Sequence, residues 1–343
     1  MLELNILTNV DQKKELELEN FIINSNYVFN PLFSTPLWAR RLKKLLDFNY
    51  EYLIIKEKEK QELIALHLIL YGYRGFARFR KHPYILKKGA IFFSKIFFSY
   101  ITWYNFILFK NNLDEDLKLK CKRIIYEYIQ NKNMKILNSP IYEGDERFFN
   151  SRKIKEWGTY ILNFKNRSYN EIYSSFKRQA RRSIEKARGQ GIYVKTLDIH
   201  DENELNNFIK FLKSAQKVTG KGYKINNNDI IKEYDFFSQK NYIYEIFLAY
   251  YKDEIHGSLG VWGFNDYISE HGVNYSKFAK KNKLYLQDII KDEIVKFSLK
   301  NGINYYDLSG FNPNKNASQK EKNIKRFKKK FNGEEIIYKI VRE

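Results

Sequence analysis

One order of elements occurs twice along the chain, and that order leaves few folds open. In the first half, residues 33–46 read as a helix, with Ser34 or Thr35 placed to cap it and Pro36 in its first turn. Residues 50–56 and 62–71 read as a strand pair about the charged turn 57–61. A helix over 113–131 and short strands at 135–137 and 158–164 follow. In the second half, a helix over 202–218 precedes strands at 243–251 and 254–262, joined by a Lys252, Asp253 turn. A strand at 267–273, a helix over 284–300 closed by Asn301 and Gly302, and a strand at 305–308 come next. A short helix at 324–331 and a strand at 335–341 end the chain. Helix, hairpin, strand, helix, strand therefore repeats with negligible residue identity. The expectation is a duplicated α/β (α+β) unit, with domains at 1–165 and 166–332 and a terminal strand, about 333–343, returning to the first.

Between the halves lies the clearest helix signal, over 168–188. Ser168 and Glu171 have capping-box spacing. Ile172, Phe176, Ala180, Ile184 and Ala187 fall on one stripe, and Gly189 and Gly191 stop the run. Lys177, Arg178, Arg181, Arg182, Lys186 and Arg188 fall outside that stripe. Residues 165–195 hold nine Lys or Arg against Glu171 and Glu185, and residues 315–330 hold eight against Glu321. A solvated helix face would mix signs at i, i+4. Unmixed cations opposite an apolar stripe fit phosphate contact, with a solvated basic face as the plainer alternative.

The formal charge of +21 makes the same point for the whole chain: a polyanionic partner offsets the self-repulsion, unless the lysines only reflect an AT-rich genome. Cys121 is the one cysteine, so no intrachain disulfide or multi-cysteine metal site can form. Residues 1–5 carry an acid at once and no apolar run, so no signal peptide is expected. Residues 89–109 are apolar apart from Lys95 and a few polar groups, long enough to span a bilayer. Their aromatic and β-branched content reads instead as buried strands, with lipid contact as a second reading. Phosphate-loop and dinucleotide fingerprints are missing, as is a nucleophile elbow, and His67, His82, His200, His256 and His271 lack metal-ligand spacing. Positioning and electrostatic stabilisation remain as the means of catalysis, and no cofactor is expected.

Arg181-Arg182-Ser183-Ile184-Glu185-Lys186-Ala187, followed by Gly191-Ile192, resembles the basic helix of the FemABX peptidyltransferases. Tyr306-Asp307-Leu308-Ser309-Gly310 and the later Arg326-Phe327-Lys328 with Phe331 resemble two more of its motifs. Leu286-Gln287 and the stretch from Ser34 to Trp38 also fit. Asn332 stands where the family commonly has glycine, with Gly333 next. The resemblance, spread over about residues 30–340, implies two tandem GNAT-like acyltransferase domains packed around a cleft, in a compact form without a coiled-coil arm. It implies transfer of an amino acid from aminoacyl-tRNA to an amine of a UDP- or lipid-linked cell-wall precursor of peptidoglycan type. The enzyme would be cytoplasmic, at the inner face of the membrane, with no obligate protein partner. On the same ground Lys328 would stabilise the oxyanion and Phe327 shape the pocket. Arg41 and Lys43 compete for the acceptor's diphosphate, and Tyr223, Lys224 and Tyr275 would bind substrate. Lys177, Arg178, Arg181, Arg182 and Lys186 would face the tRNA. Two other functions stay open: an acyl-CoA-dependent N-acyltransferase of an amino sugar or metabolite, and a non-catalytic RNA-binding protein. The usual pyrophosphate loop of the former is not found near Lys283.

Overall fold

A computed structural model describes residues 2–73, 92–95, 97–149, 153–219 and 226–342. The chain divides into two compact units, Met1–Trp157 with Tyr338–Glu343, and Gly158–Ile337.

Unit one contains β1 (Leu2–Leu7), α1 (Gln12–Ile23), α2 (Pro36–Leu46), β2 (Asn49–Glu57), β3 (Glu62–Tyr73), β4 (Ser99–Thr102), β5 (Leu108–Phe109), α3 (Glu115–Asn131), β6 (Lys135–Ile136) and β7 (Ser139–Ile141). Its sheet order is β1-β2-β3-β4-β6, antiparallel until β6, which runs parallel to β4 after the α3 crossover. Such a crossover needs an intervening helix, which is why strand, helix, strand in the sequence becomes a parallel pair. The core beneath this sheet gathers Leu53, Ile55, Ile69, Ile101, Trp103, Cys121, Ile125 and Ile129. Cys121 is buried, and burial pushes its thiol up to about 11, so it packs rather than reacts.

Unit two contains most of β8 (Lys153–Asn163), α4 (Tyr169–Ser175), α5 (Arg178–Gly189), β9 (Tyr193–Thr196), α6 (Glu202–Thr219), α7 (Asn227–Phe237), β10 (Tyr242–Tyr251), β11 (Glu254–Phe264), β12 (Tyr267–Tyr275), α8 (Lys277–Lys281), α9 (Leu286–Lys300), β13 (Tyr305–Phe311), α10 (Gln319–Lys329) and the start of β14 (Glu334–Arg342). The order β9-β10-β11-β12-β13 reproduces that of unit one, again with one parallel step after a helix. Strand β10 is covered on both faces: Ile246, Leu248 and Tyr250 pack with α6 and α7 residues, while Phe247 and Ala249 join the core under α5 and α9.

Several expectations need correction. The domain boundary lies at 157/158 rather than 165, because β8 from Gly158 onward pairs with β13 of unit two. The run 168–188 is two helices. Phe176 and Lys177 are extended because the Phe176 ring packs edge-on to Phe331 at 5.3 Å and the Lys177 amide donates to the Lys330 carbonyl at 2.9 Å. The expected stripe stays buried across this break. Of the two cap candidates for α2, Thr35 is the one that fits, accepting the Trp38 amide at 3.2 Å. The helix expected at 324–331 starts at Gln319, behind a Ser318/Glu321 capping box. Of residues 89–109, only 99–102 and 108–109 are described as strand. Four phenylalanines of that segment are exposed rather than buried. Among the described residues no helix is long and apolar enough to cross a membrane, and none exceeds 18 residues.

Candidate active site where two parallel strands part

Strands β12 and β13 pair for three steps only, Tyr267 with Tyr305, Ile268 with Tyr306 and Ser269 with Asp307. Both run on for several residues without further pairing to each other. Their outer partners shift register at the same level, at Ser258/Gly260 on β11 and at Asp307/Gly310 against β8. Ser309 takes a left-handed φ of 63° here, an uncommon conformation for a residue with a side chain. It is held by its own bonds: its amide donates to Asp307 Oδ1 at 2.7 Å and its hydroxyl to the Glu270 carbonyl at 2.7 Å. The parted strands expose backbone groups that a regular ladder would satisfy internally.

Lys328 reaches this opening from the last turn of α10. Its Nζ donates to the carbonyls of Ser309 and Gly310, each at 2.8 Å, and the residue is only 9% exposed. An ammonium has three donors, so one remains beyond those two bonds. Burial pushes the Lys328 amine down, with the charge of Glu270 opposing. Around it, Glu270 accepts from Lys291 and from the Tyr306 hydroxyl at 2.6 Å. Asp307 accepts from Thr159, and burial raises its carboxyl to about 6. Lys330 pairs with Asp288 in the first turn of α9. Phe327 and Phe331 meet at 5.7 Å, and the Lys330 ammonium lies 4.1 Å from the Phe327 centroid. Two buried lysine–carboxylate pairs, Lys291 with Glu270 and Lys330 with Asp288, therefore accompany the buried Lys328 and Asp307. Chemically, the arrangement offers a dehydrated positive charge beside open main-chain groups, which suits stabilisation of an oxyanion.

The basic helix is tied to the same place. Lys177, whose amide binds the Lys330 carbonyl, is the N-cap of α5 but gives no side-chain cap bond. The first turn of α5 holds no acid. Arg178, Arg181, Arg182 and Lys186 line one open hollow of about 700 Å³ with Glu185. Arg181 Nε is buried without a hydrogen-bond partner. Cations at the positive end of a helix dipole are unfavourable unless an anion joins them. Arg188 plays another part: it is held by Asp292 at 2.6 Å and Glu185 at 2.7 Å.

The remaining expected site residues fall elsewhere. In unit one, the Arg41 guanidinium lies 5.0 Å over the Trp38 ring, which also contacts Phe33 and Tyr104. Lys43 is exposed, 5.7 Å over Tyr50. Two positions apart on α2, they point to opposite sides. Tyr275 ends β12, paired with Gly257, six residues past the last β12–β13 pair. Tyr223 and Lys224 lie outside the described residues. Sequence reasoning passed over Thr159, Glu270, Asp288, Lys291 and Lys330. One signal was available: Glu270 follows the apolar strand start Tyr267-Ile268, and Lys291 sits among Ile289, Ile290 and Ile294, where a charge is costly without a partner.

No family model matches the chain, and no curated protein matches it in sequence. Its backbone is similar to that of FemX, with a TM-score of 0.63 at 11% identity over 98% of this chain and 96% of that one. It is similar to a tandem GNAT protein from the clavulanic acid biosynthesis pathway, with a TM-score of 0.53 at 8% identity over 99% and 98%. L-PGS from Bacillus licheniformis gives 0.53 at 10% identity over 97% and 92%. With the doubled strand order, these likenesses fix the architecture: the chain has the tandem GNAT-like fold that it shares with FemX.

Proposed function

We propose that the chain is an acyltransferase that moves an amino acid from aminoacyl-tRNA to an amine of a nucleotide- or lipid-linked cell-surface precursor. One observation carries this reading: the uncapped, arginine-rich start of α5 is bonded through Lys177 to Lys330, two residues beyond the Lys328 that enters the strand opening. A phosphate-rich donor gripped by Arg178, Arg181, Arg182 and Lys186 would have its reactive end near Lys328. The acceptor's neutral amine attacks the aminoacyl ester carbonyl. A C–N bond forms, the ester C–O bond breaks, and the amine's proton leaves with the tRNA hydroxyl. Lys328 stabilises the oxyanion between those events, and Phe327 walls the pocket. Arg41 or Lys43 meets the acceptor diphosphate, and Tyr275 contributes further along β12. The work is done in the cytoplasm, at the inner membrane face when the acceptor is lipid-linked.

The tandem GNAT likeness favours one other reading, an acyl-CoA-dependent N-acyltransferase. Against it stands Asp288, a buried acid in the first turn of α9, the longer of the two helices between β12 and β13, where a pyrophosphate would need positive surroundings.

The test mixes the protein with labelled aminoacyl-tRNA, acetyl-CoA and amine-bearing precursors. Label moving from tRNA only when acceptor is present supports the proposal, and thiol release from acetyl-CoA supports the alternative. RNA binding with no product under either donor would leave a non-catalytic RNA-binding protein. Lys328→Met should lower kcat by about 10²–10³ while RNA affinity stays unchanged. Normal turnover by that variant would remove Lys328 from the mechanism.

A further inference from the structure

Phe92, Phe93, Phe97 and Phe98 are 62%, 61%, 68% and 57% exposed. At roughly 200 Å² for a phenylalanine, they present on the order of 500 Å² of apolar surface, as large as the largest patch of a typical soluble monomer. Three of the rings form one cluster, with Phe92 and Phe93 at 6.2 Å and Phe93 stacked on Phe97 at 6.3 Å, and Phe98 follows next in the chain. The backbone beneath is fixed. Ser94 is buried, the Phe98 amide donates to the Ser94 carbonyl at 3.0 Å, and Lys95 binds Asp47 at 2.6 Å and lies 5.6 Å over Tyr73. Polar members of this short segment hold it to unit one while its aromatic members face outward. Exposed cations lie on the neighbouring helix. Lys43 and Lys44 on α2, the helix that Asp47 caps, are exposed.

We propose that this aromatic patch docks unit one on an anionic lipid bilayer, with Phe92, Phe93, Phe97 and Phe98 entering the headgroup and acyl boundary and Lys43 and Lys44 meeting lipid phosphates. A bilayer accepts four rings without demanding a complementary shape, and its negative surface matches the exposed Lys43 and Lys44. The inference stands apart from the transfer reaction, and a failure of either leaves the other in place.

Sedimentation of the full chain with vesicles tests it. The protein should pellet with equal mixtures of phosphatidylcholine and phosphatidylglycerol about tenfold more than with phosphatidylcholine alone. F93S/F97S should lower that partition about tenfold with the circular-dichroism spectrum and Tm unchanged, since both rings are already solvent-exposed. A single F93W variant should show a blue-shifted emission on the anionic vesicles. The proposal is overturned if the wild-type protein stays in the supernatant, if F93S/F97S pellets like wild type, or if the F93W emission does not move. A self-associated protein that F93S/F97S converts to monomer, with no vesicle binding, would also overturn it and assign the patch to a second copy.

Discussion

Lys291, Lys328 and Lys330 are each less than a tenth exposed; Lys291 and Lys330 are paired with the buried carboxylates Glu270 and Asp288, while Lys328 binds two carbonyls. Removing one member of such a pair leaves its partner charged and dehydrated, which costs about 3–5 kcal/mol. Glu245 on β10 shows the opposite case. Burial alone raises its carboxyl to about 7. The folded state therefore favours the protonated form. The stability this provides is complete below the ordinary value near 4.5 and is lost as pH rises through about 7. Glu245→Gln should accordingly raise Tm at pH 8 and leave it little changed at pH 4.5. Because the residue is partly exposed, the gain at pH 8 should be about 1–2 kcal/mol, read by thermal melts across that range. A gain of equal size at both pH values would contradict the assignment. Residue-level chemistry was only partly legible beforehand. Lys328 stands in a run of cations, and a motif singled it out. That Thr159, Glu270 and Lys291 meet around it depends on strand pairing between segments up to 150 positions apart, which local pattern does not carry.

Helix α10 acts as the lever that delivers Lys328. Its start is fixed by Ser318, whose side chain accepts the Glu321 amide while Glu321 accepts the Ser318 amide at 2.8 Å. Its end places Arg326, Lys328 and Lys329 in the last turn, where cations are favoured by the dipole. Ser318→Ala should cost about 1 kcal/mol, seen as a Tm lower by a few degrees. The helix would then fray from its first turn while the Lys328 turn stays anchored by Ser309 and Gly310. Turnover should fall less than with Lys328→Met. An equal loss would mean that the whole helix, not the lysine alone, organises the site. At this scale the sequence was readable where a local rule applied, as with the Ser168/Glu171 box and the stripe from Ile172 to Ala187. The break at Phe176 and Lys177 was hidden because the apolar spacing continues across it, and its cause, the Lys330 carbonyl, lies far along the chain.

Two units of unrelated sequence share one strand order, so it is the sequence of element types, rather than any residue, that specifies each sheet. The repeat was visible as helix, hairpin, strand, helix, strand. The flanking strands β1 and β9, short and half exposed, were not. The end of β14 offers the sharpest test that unit one is a folding unit of its own. Residues 338–343 belong to it: Val341 is fully buried in its core, Tyr338 contacts Phe29 at 4.6 Å, and Lys339, Ile340 and Val341 pair with β7. Burying Ile340 and Val341 contributes about 3–6 kcal/mol, a large share of the 5–15 kcal/mol typical of a domain. A chain ending at Ile337 should therefore lose hydrogen-exchange protection in β2 and β3 while β10 and β11 keep theirs. Equal loss in all four strands would show the two units to be one cooperative body, and unchanged protection in β2 and β3 would show that β14 adds little to the sheet it ends in.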